Sequence, residues 1–123
     1  MSKPKIVAID DEAEFIDVIK NYFGMRGYEI TVAVRGNKGI ELVKEKKPDV
    51  VLMDLKMPGI DGDEVLSLLK SMDPSPKVIF VTAYDDGGKT KARLLRMGAY
   101  AYFDKPVSSL RDLEEAVNKA ANT

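Results

Sequence analysis

Five polar residues follow short apolar runs of the sequence, and together they have the chemistry of a phosphoryl-transfer site. Asp10 and Asp11 follow the first run, Asp54 the third, Thr82 the fourth, and Lys105 comes shortly after the fifth. In an open parallel sheet, ligands bind beyond the carboxyl ends of the strands. If the runs are parallel strands, three carboxylates, a hydroxyl and an ammonium converge at one edge of the sheet.

This combination of side chains predicts a Mg²⁺-dependent phosphoryl acceptor. Three crowded carboxylates repel one another unless a cation neutralises them, and oxygen ligands suit Mg²⁺. With the cation held by Asp10 or Asp11 and one oxygen of Asp54, the other Asp54 oxygen is free to attack phosphorus and form an aspartyl phosphate. The cation and the Lys105 ammonium would then offset the charge on the phosphoryl oxygens, and the Thr82 hydroxyl would donate a hydrogen bond to them.

Each of these residues also has an ordinary structural interpretation. Asp10 and Asp11 suit the first turn of a following helix, where the macrodipole favours acidic groups. Thr82 could simply end a strand, and Lys105 could be a solvated charge. Asp54 is harder to explain in this way because four apolar residues precede it. The occurrence of all of them at four strand ends favours a functional site.

The apolar runs are short and rich in Val and Ile, as is typical of parallel strands covered on both faces. They are Ile6–Ile9, Ile30–Val34, Val50–Met53, Val78–Val81 and Ala101–Phe103. The segments after them carry apolar residues at helical spacing. Five such βα units predict an α/β fold, a doubly wound (βα)5 three-layer sandwich with a five-stranded parallel sheet.

Glycines, prolines and serines mark the expected helix ends. They are Gly24 and Gly27 after the first helix, Pro48 after the second, Pro74 and Pro76 after the third, Gly98 after the fourth, and Ser108 or Ser109 as the cap of the fifth. These ends leave no segment for a linker. We therefore expect residues 1–123 to form one domain, with a core over about residues 5–121 and no output domain.

Composition excludes several classes of function. The 123 residues include no cysteine and no histidine, so a disulfide scaffold, a thiolate metal site and a histidine base are all excluded. The formal net charge of −1 gives no basic field, so we expect no direct binding of nucleic acid. No apolar run approaches the ~20 residues of a membrane span, and no signal peptide is expected. We expect a cytoplasmic protein without membrane association.

The order of the motifs resembles the receiver domain of two-component response regulators. The matching elements are Asp10-Asp11, Asp54-Leu55-Lys56-Met57-Pro58-Gly59-Ile60-Asp61-Gly62, Thr82-Ala83 and Lys105-Pro106. The resemblance covers the chain from Ile6 to about Ala121. It implies a flavodoxin-like sheet with strand order 2-1-3-4-5. It also implies a phosphorylation-dependent signalling switch that changes its α4-β5-α5 face for partner binding, and that catalyses only its own aspartyl phosphorylation and dephosphorylation.

The resemblance also implies a role for each matching residue. Asp54 is the phosphoacceptor, and Thr82 and Lys105 bind the phosphoryl group. The residues implied in binding Mg²⁺, or Mn²⁺ as its substitute, are Asp10, Asp11, Asp54 and Lys56 through its backbone carbonyl. Thr82 and Tyr102 match the switch positions, Pro58 and Gly62 match the turn that closes the acceptor loop, and the Lys105–Pro106 bond matches a peptide bond that is usually cis.

The resemblance implies protein partners as well. The phosphoryl donor would be a histidine kinase or a histidine phosphotransfer protein, and the target would be a downstream protein or an output domain outside this chain. The chain would be a monomer or a phosphorylation-dependent dimer.

Three alternatives remain at this stage. A haloacid-dehalogenase-like phosphatase also uses a strand-end Asp, but it needs a second Asp where Lys56 stands. A flavodoxin-like flavin binder needs phosphate-binding donors after the first strand, where Asp10-Asp11-Glu12 would repel phosphate. The third alternative is a receiver-shaped interaction module that is never phosphorylated.

Overall fold

The computed structural model describes residues 3–123 and contains alternating strands and helices. In chain order these are β1 (Ile6–Ile9), α1 (Ala13–Met25), β2 (Ile30–Ala33), α2 (Gly36–Lys46), β3 (Val50–Met53), α3 (Gly62–Lys70), β4 (Lys77–Thr82), α4 (Lys89–Arg96), β5 (Ala101–Asp104) and α5 (Leu110–Ala121). All strand pairs are parallel, and their order in the sheet is β2-β1-β3-β4-β5. The predicted doubly wound (βα)5 fold is confirmed.

The sheet separates two layers of helices, each with its own apolar core. Alternate residues of β1 point to opposite faces, so Ile6 packs with α1 and α5 whereas Val7 packs with α2, α3 and α4. Phe23 is one of the largest fully buried side chains on the first face, and Phe80 is one of the largest on the second. This packing fixes the strands whose ends carry the candidate site.

The central strands β1, β3 and β4 are buried on both faces of the sheet. Every residue of β1 and β3 is buried, and in β4 only the first residue is partly exposed. The edge strands β2 and β5 contain mostly half-buried residues, because each has only one neighbouring strand. Both edge strands still have residues that pack against each core, so the expected covering of both faces is present in β2 and β5 but incomplete.

One expected helix boundary, the end of α1, differs from the sequence interpretation, and one of the two candidate caps of α5 is confirmed. Helix α1 continues through Gly24 and ends at Met25, and the reversal occurs at Gly27, whose φ of +88° favours glycine. The cap of α5 is Ser109, whose side chain accepts a hydrogen bond from the backbone N–H of Asp112. Within residues 3–123, none of the helices is long and apolar enough to cross a lipid bilayer.

Candidate functional site

The five residues singled out in the sequence lie together at the carboxyl edge of the sheet. Hydrogen bonds between neighbouring strands align their ends: the backbone N–H of Asp10 donates to Ala33, and that of Asp54 donates to Ile9. The backbone N–H of Lys105 donates to Thr82 at 2.9 Å. The parallel register therefore positions the side chains beyond the strand ends.

Asp54 is buried but has one oxygen facing the other site residues. It is 8% exposed, because the apolar strand β3 ends directly before it. Its Oδ1 accepts a hydrogen bond from the backbone N–H of Leu55 at 2.8 Å. Its Oδ2 lies 3.5 Å from the Lys105 Nζ. The first contact fixes the carboxylate, and the second leaves Oδ2 close to a cation that could stabilise added negative charge.

Three carboxylates could hold a metal ion. Asp10, Asp11 and Asp54 each offer an oxygen, and these oxygens lie within 4.8 Å of one another. Asp10 Oδ2 is buried and, among the described residues, has no hydrogen-bond partner: Lys105 Nζ lies 2.8 Å away but is not aligned as a hydrogen-bond donor. A crowded oxygen set with one unsatisfied buried member fits a hard divalent cation.

The environment of Asp10 opposes its ionisation. Burial is the main cause and raises its pKa from 3.8 to about 6, and the nearby charge of Asp54 adds to this effect. The Lys105 ammonium and the backbone N–H of Glu12 act in the opposite direction. The site without a cation therefore contains a carboxylate whose charge is only partly compensated.

Lys105 is shared among several anionic groups. Its Nζ lies 2.8 Å from Asp10 Oδ2, 2.9 Å from Glu12 Oε1 and 3.5 Å from Asp54 Oδ2, and it also lies 4.5 Å from the centroid of the Phe15 ring. Burial alone would lower the pKa of Lys105, but the carboxylates of Asp10 and Glu12 outweigh it and hold that pKa above its usual value. Lys105 is therefore charged.

Glu12 was not identified from the sequence as a site residue. It lies on the N-terminal side of α1, where an acidic residue is usually explained by the helix macrodipole. Its only signal was its position next to Asp10-Asp11, and nothing in the sequence indicated that it reaches across to Lys105.

Thr82 is the last residue of β4 and is 1% exposed. Its Oγ1 accepts a hydrogen bond from the backbone N–H of Tyr84 at 3.2 Å. This contact uses an acceptor position of the hydroxyl, so the hydroxyl can still donate its proton to another group. Thr82 thus links the site to the segment that leads to α4.

Tyr102 and Lys56 both contact Tyr84 beside the site. The hydroxyl of Tyr102 donates to the backbone oxygen of Tyr84 at 2.7 Å, and the Tyr102 ring lies 6.5 Å from that of Phe80. The Lys56 Nζ lies 5.0 Å from the centroid of the Tyr84 ring and 3.9 Å from Asp61 Oδ2. These contacts join the segment after β3, the segment after β4 and strand β5.

Gly62 allows the acceptor loop to fold closely onto the site. A Cβ at this position would overlap the backbone oxygen of Asp54 and would lie 2.9 Å from the Phe80 ring. The backbone N–H of Gly62 also donates to Leu55 at 2.7 Å. Pro58 is exposed in the same loop. The Lys105–Pro106 peptide bond, at the other side of the site, is cis.

Comparison with known proteins identifies one family. The family model for the response regulator receiver domain matches residues 6–118. The chain is 32% identical over 119 residues to sporulation initiation phosphotransferase F of Bacillus subtilis strain 168, covering 97% of this chain and 94% of that protein.

Solved structures agree with this match. A receiver domain protein of Clostridium thermocellum is 34% identical with a TM-score of 0.86, covering 99% of this chain and 95% of that one. A CheY-like receiver domain protein of Methanospirillum hungatei JF-1 is 30% identical with a TM-score of 0.89, covering 98% and 95%. The family predicted from the motif order is confirmed, and the chain belongs to the response regulator receiver domains of two-component systems.

Proposed function

We propose that this receiver domain is a switch that accepts a phosphoryl group on Asp54 from a phosphohistidine donor. The observation that carries the proposal is the position of Asp54 Oδ2, which lies 3.5 Å from the Lys105 ammonium and within a group of three carboxylates. A buried carboxylate is a competent nucleophile for phosphorus when an ammonium group lies beside it and neighbouring carboxylates can hold a metal ion.

In the transfer, an oxygen of Asp54 forms a bond to phosphorus while the phosphorus–nitrogen bond of the donor breaks. The electron pair of that bond returns to the donor imidazole. The product is an aspartyl phosphate; the Lys105 ammonium offsets the charge of its phosphoryl oxygens, and the Thr82 hydroxyl donates a hydrogen bond to one of them. The chain carries out only its own phosphorylation and the hydrolysis that reverses it.

Asp10, Asp11 and Asp54 would hold Mg²⁺, with the backbone carbonyl of Lys56 as a further ligand. Mn²⁺ accepts the same oxygen ligands and would substitute. When bound, the cation supplies positive charge that offsets the crowded carboxylates and the phosphoryl oxygens.

The donor would be a histidine kinase or a histidine phosphotransfer protein. A groove of about 1020 Å³ opens from Asp54 along α1 and the segment after β5. Its apolar wall contains Phe15, Val18, Val107 and Leu110, and Val18 is 49% exposed. An exposed apolar surface beside the acceptor supports docking of a protein donor, rather than reaction with small molecules alone.

Thr82 and Tyr102 would convert phosphorylation into a change of the α4-β5-α5 face. A phosphoryl group on Asp54 gives the Thr82 hydroxyl a strong anionic acceptor. Movement of Thr82 disturbs Tyr84, whose backbone N–H and oxygen contact Thr82 and Tyr102 respectively. The two glycines before α4, Gly87 and Gly88, have positive φ values and open space around them, which supports adjustment of this segment.

The test is incubation with acetyl phosphate and Mg²⁺, followed by intact-mass measurement. We expect the protein to gain one phosphoryl group, and Asp54→Asn to reduce the rate by at least about 100-fold because the nucleophile is lost. The matched control is Asp17→Asn, which removes an exposed carboxylate on α1 and should react like the parent. Chelation of divalent cations should abolish the reaction. Equal phosphorylation of Asp54→Asn and the parent would disprove the assignment of the acceptor.

A further inference from the structure

The Lys105 ammonium has a partner that belongs neither to the acceptor nor to the carboxylates that could hold a metal. Glu12 Oε1 lies 2.9 Å from Lys105 Nζ and accepts a hydrogen bond from it. Glu12 is absent from the metal-compatible group, which comprises Asp10, Asp11 and Asp54. Its contact with Lys105 therefore needs an explanation separate from the binding of a cation.

The contact with Glu12 is shorter than the contact with the acceptor. Lys105 Nζ lies 2.9 Å from Glu12 but 3.5 Å from Asp54 Oδ2. An ammonium has three protons, and here it divides them among carboxylates on two sides. A phosphoryl group arriving on Asp54 must therefore compete with Glu12 for the ammonium.

The side chain of Glu12 is exposed and can move away from Lys105 into solvent. It is 58% exposed, whereas the Lys105 side chain is 11% exposed. Ion pairs with an exposed member are weak, because water solvates the released carboxylate at little cost. Glu12 can therefore be displaced into solvent while Lys105 remains in the site, held by the Phe15 ring and the Asp10 carboxylate.

We propose that Glu12 is a displaceable competitor for the Lys105 ammonium and thereby slows phosphorylation of Asp54. In the unphosphorylated protein Glu12 forms an ion pair with Lys105, so that less of the positive charge of Lys105 is available to a phosphoryl group on Asp54. This inference rests on the proposed function, and it assigns Glu12 an autoinhibitory role within that function. Glu12 acts through Lys105 and does not contact the reacting atoms.

The test compares two variants with the same change of charge. Glu12→Gln removes the competing carboxylate. Glu14→Gln removes an exposed carboxylate in the first turn of α1 that makes no ion pair or hydrogen bond through its side chain among the described residues. The rate of phosphoryl gain from acetyl phosphate is measured with saturating Mg²⁺, and the affinity for beryllofluoride is measured by titration. We expect Glu12→Gln to increase both by about two- to five-fold over Glu14→Gln.

The outcomes separate this inference from the proposed function. Equal rates for the two variants, with the parent phosphorylated on Asp54, would overturn the role of Glu12 and leave the proposed function standing. A lower rate for Glu12→Gln, with thermal unfolding like that of the parent, would show that Glu12 assists Lys105 and would also overturn the inference. If the parent gains no phosphoryl group at Asp54, the proposed function itself fails.

Discussion

Asp10 and Glu114 are both buried carboxylates, but their surroundings are opposite. Asp10 lies at the carboxyl edge of the sheet and is 2% exposed, and Glu114 lies on α5 and is 7% exposed. Asp10 has two other carboxylates beside it and one oxygen without a hydrogen-bond partner among residues 3–123. Glu114 is surrounded by donors from α1 and the segment that follows it.

The donors around Glu114 satisfy both of its oxygens. Tyr22 and Arg26 contact Oε1 at 2.8 Å, and the hydroxyl of Tyr28 donates to Oε2 at 2.8 Å. Asn118 in turn donates to the Tyr28 hydroxyl at 2.8 Å. This network connects α1 and the segment after it to α5.

The two carboxylates therefore have pKa values that move in opposite directions. Burial raises the pKa of Asp10 to about 6. Burial also acts to raise the pKa of Glu114, but the hydrogen bonds from Arg26, Tyr28 and Tyr22 outweigh it and hold that pKa below its usual value. The difference shows that burial alone does not determine the charge of a carboxylate. Glu114 thus has donors for both of its oxygens, whereas Asp10 has one oxygen that no donor of the described residues satisfies and that a cation could contact.

The largest change in the free energy of unfolding should come from removing the Glu114 carboxylate, which accepts the hydrogen bonds of this network. We expect Glu114→Ala to lower the free energy of unfolding by about 3 kcal/mol, because the buried Tyr28 hydroxyl loses its acceptor and the Arg26 charge loses its partner. Glu115→Ala is the control, since Glu115 is exposed on the same helix. Urea unfolding measures both, and equal losses in the two variants would contradict a structural role for Glu114.

The pH dependence of that loss follows from the direction of the pKa shift. The folded pKa lies below the unfolded value of 4.5, so the stabilisation due to ionised Glu114 is fully present above the unfolded pKa. It disappears as pH falls through the folded pKa. The difference between the parent and Glu114→Ala should therefore be constant near neutral pH and decrease in acid.

Replacing Asp10 should change the free energy of unfolding by a smaller amount and in the opposite direction. In chelator-treated protein, Asp10→Asn should raise the free energy of unfolding at pH 7.5 by roughly 2–3 kcal/mol, because the folded pKa lies roughly two units above the unfolded one. Since the folded state binds the proton more tightly, the parent should lose this stability as pH rises from about 4 to about 6. Below that window the variant and the parent should converge.

The control for this measurement is Asp17→Asn, an exposed carboxylate that should leave stability nearly unchanged at every pH. If the parent is equally stable at pH 5 and pH 7.5 without divalent cations, ionised Asp10 does not destabilise the folded state and the raised pKa is wrong. Asp10→Asn should also weaken Mg²⁺ binding, so added Mg²⁺ should stabilise the parent more than the variant.

Local patterns in the sequence were sufficient to predict the strands and the polar residues at their ends, whereas the order of the strands came from the resemblance to a family. A Val- and Ile-rich run ending in Asp54 predicts a buried strand and an acid beyond it, whatever the rest of the chain does. The parallel order of such strands then brings their ends together without knowledge of any side-chain contact.

Contacts between distant helices were not predictable in the same way. Glu114 lies among the apolar residues predicted for the fifth helix, which was a signal that it is buried, but its donors are 86 to 92 residues away in sequence. Glu12 pairs with Lys105 across 93 residues. Periodicity fixes which face of an element is covered, whereas the partner of a polar side chain depends on packing between elements.

The smallest change in the free energy of unfolding should come from removing the hydroxyl of Tyr102. Tyr28 donates to a buried carboxylate, whereas the half-buried Tyr102 donates to the Tyr84 backbone oxygen at 2.7 Å. We expect Tyr102→Phe to lower the free energy of unfolding by about 0.5–1 kcal/mol, because water can replace the lost donor. Tyr100→Phe is the control, since its hydroxyl bonds to none of the described residues.

The more informative result of Tyr102→Phe concerns the link between β5 and the segment after β4. If that hydrogen bond transmits the movement of Thr82, beryllofluoride should still shift the amide resonances of residues 54 and 82 in the variant. The shifts of residues 101–104 should then be much smaller than in the parent, because the contact to Tyr84 is missing. Unchanged shifts in β5 would show that Tyr102 does not transmit the switch through its hydroxyl, and would place the coupling in the packing of its ring against Phe80.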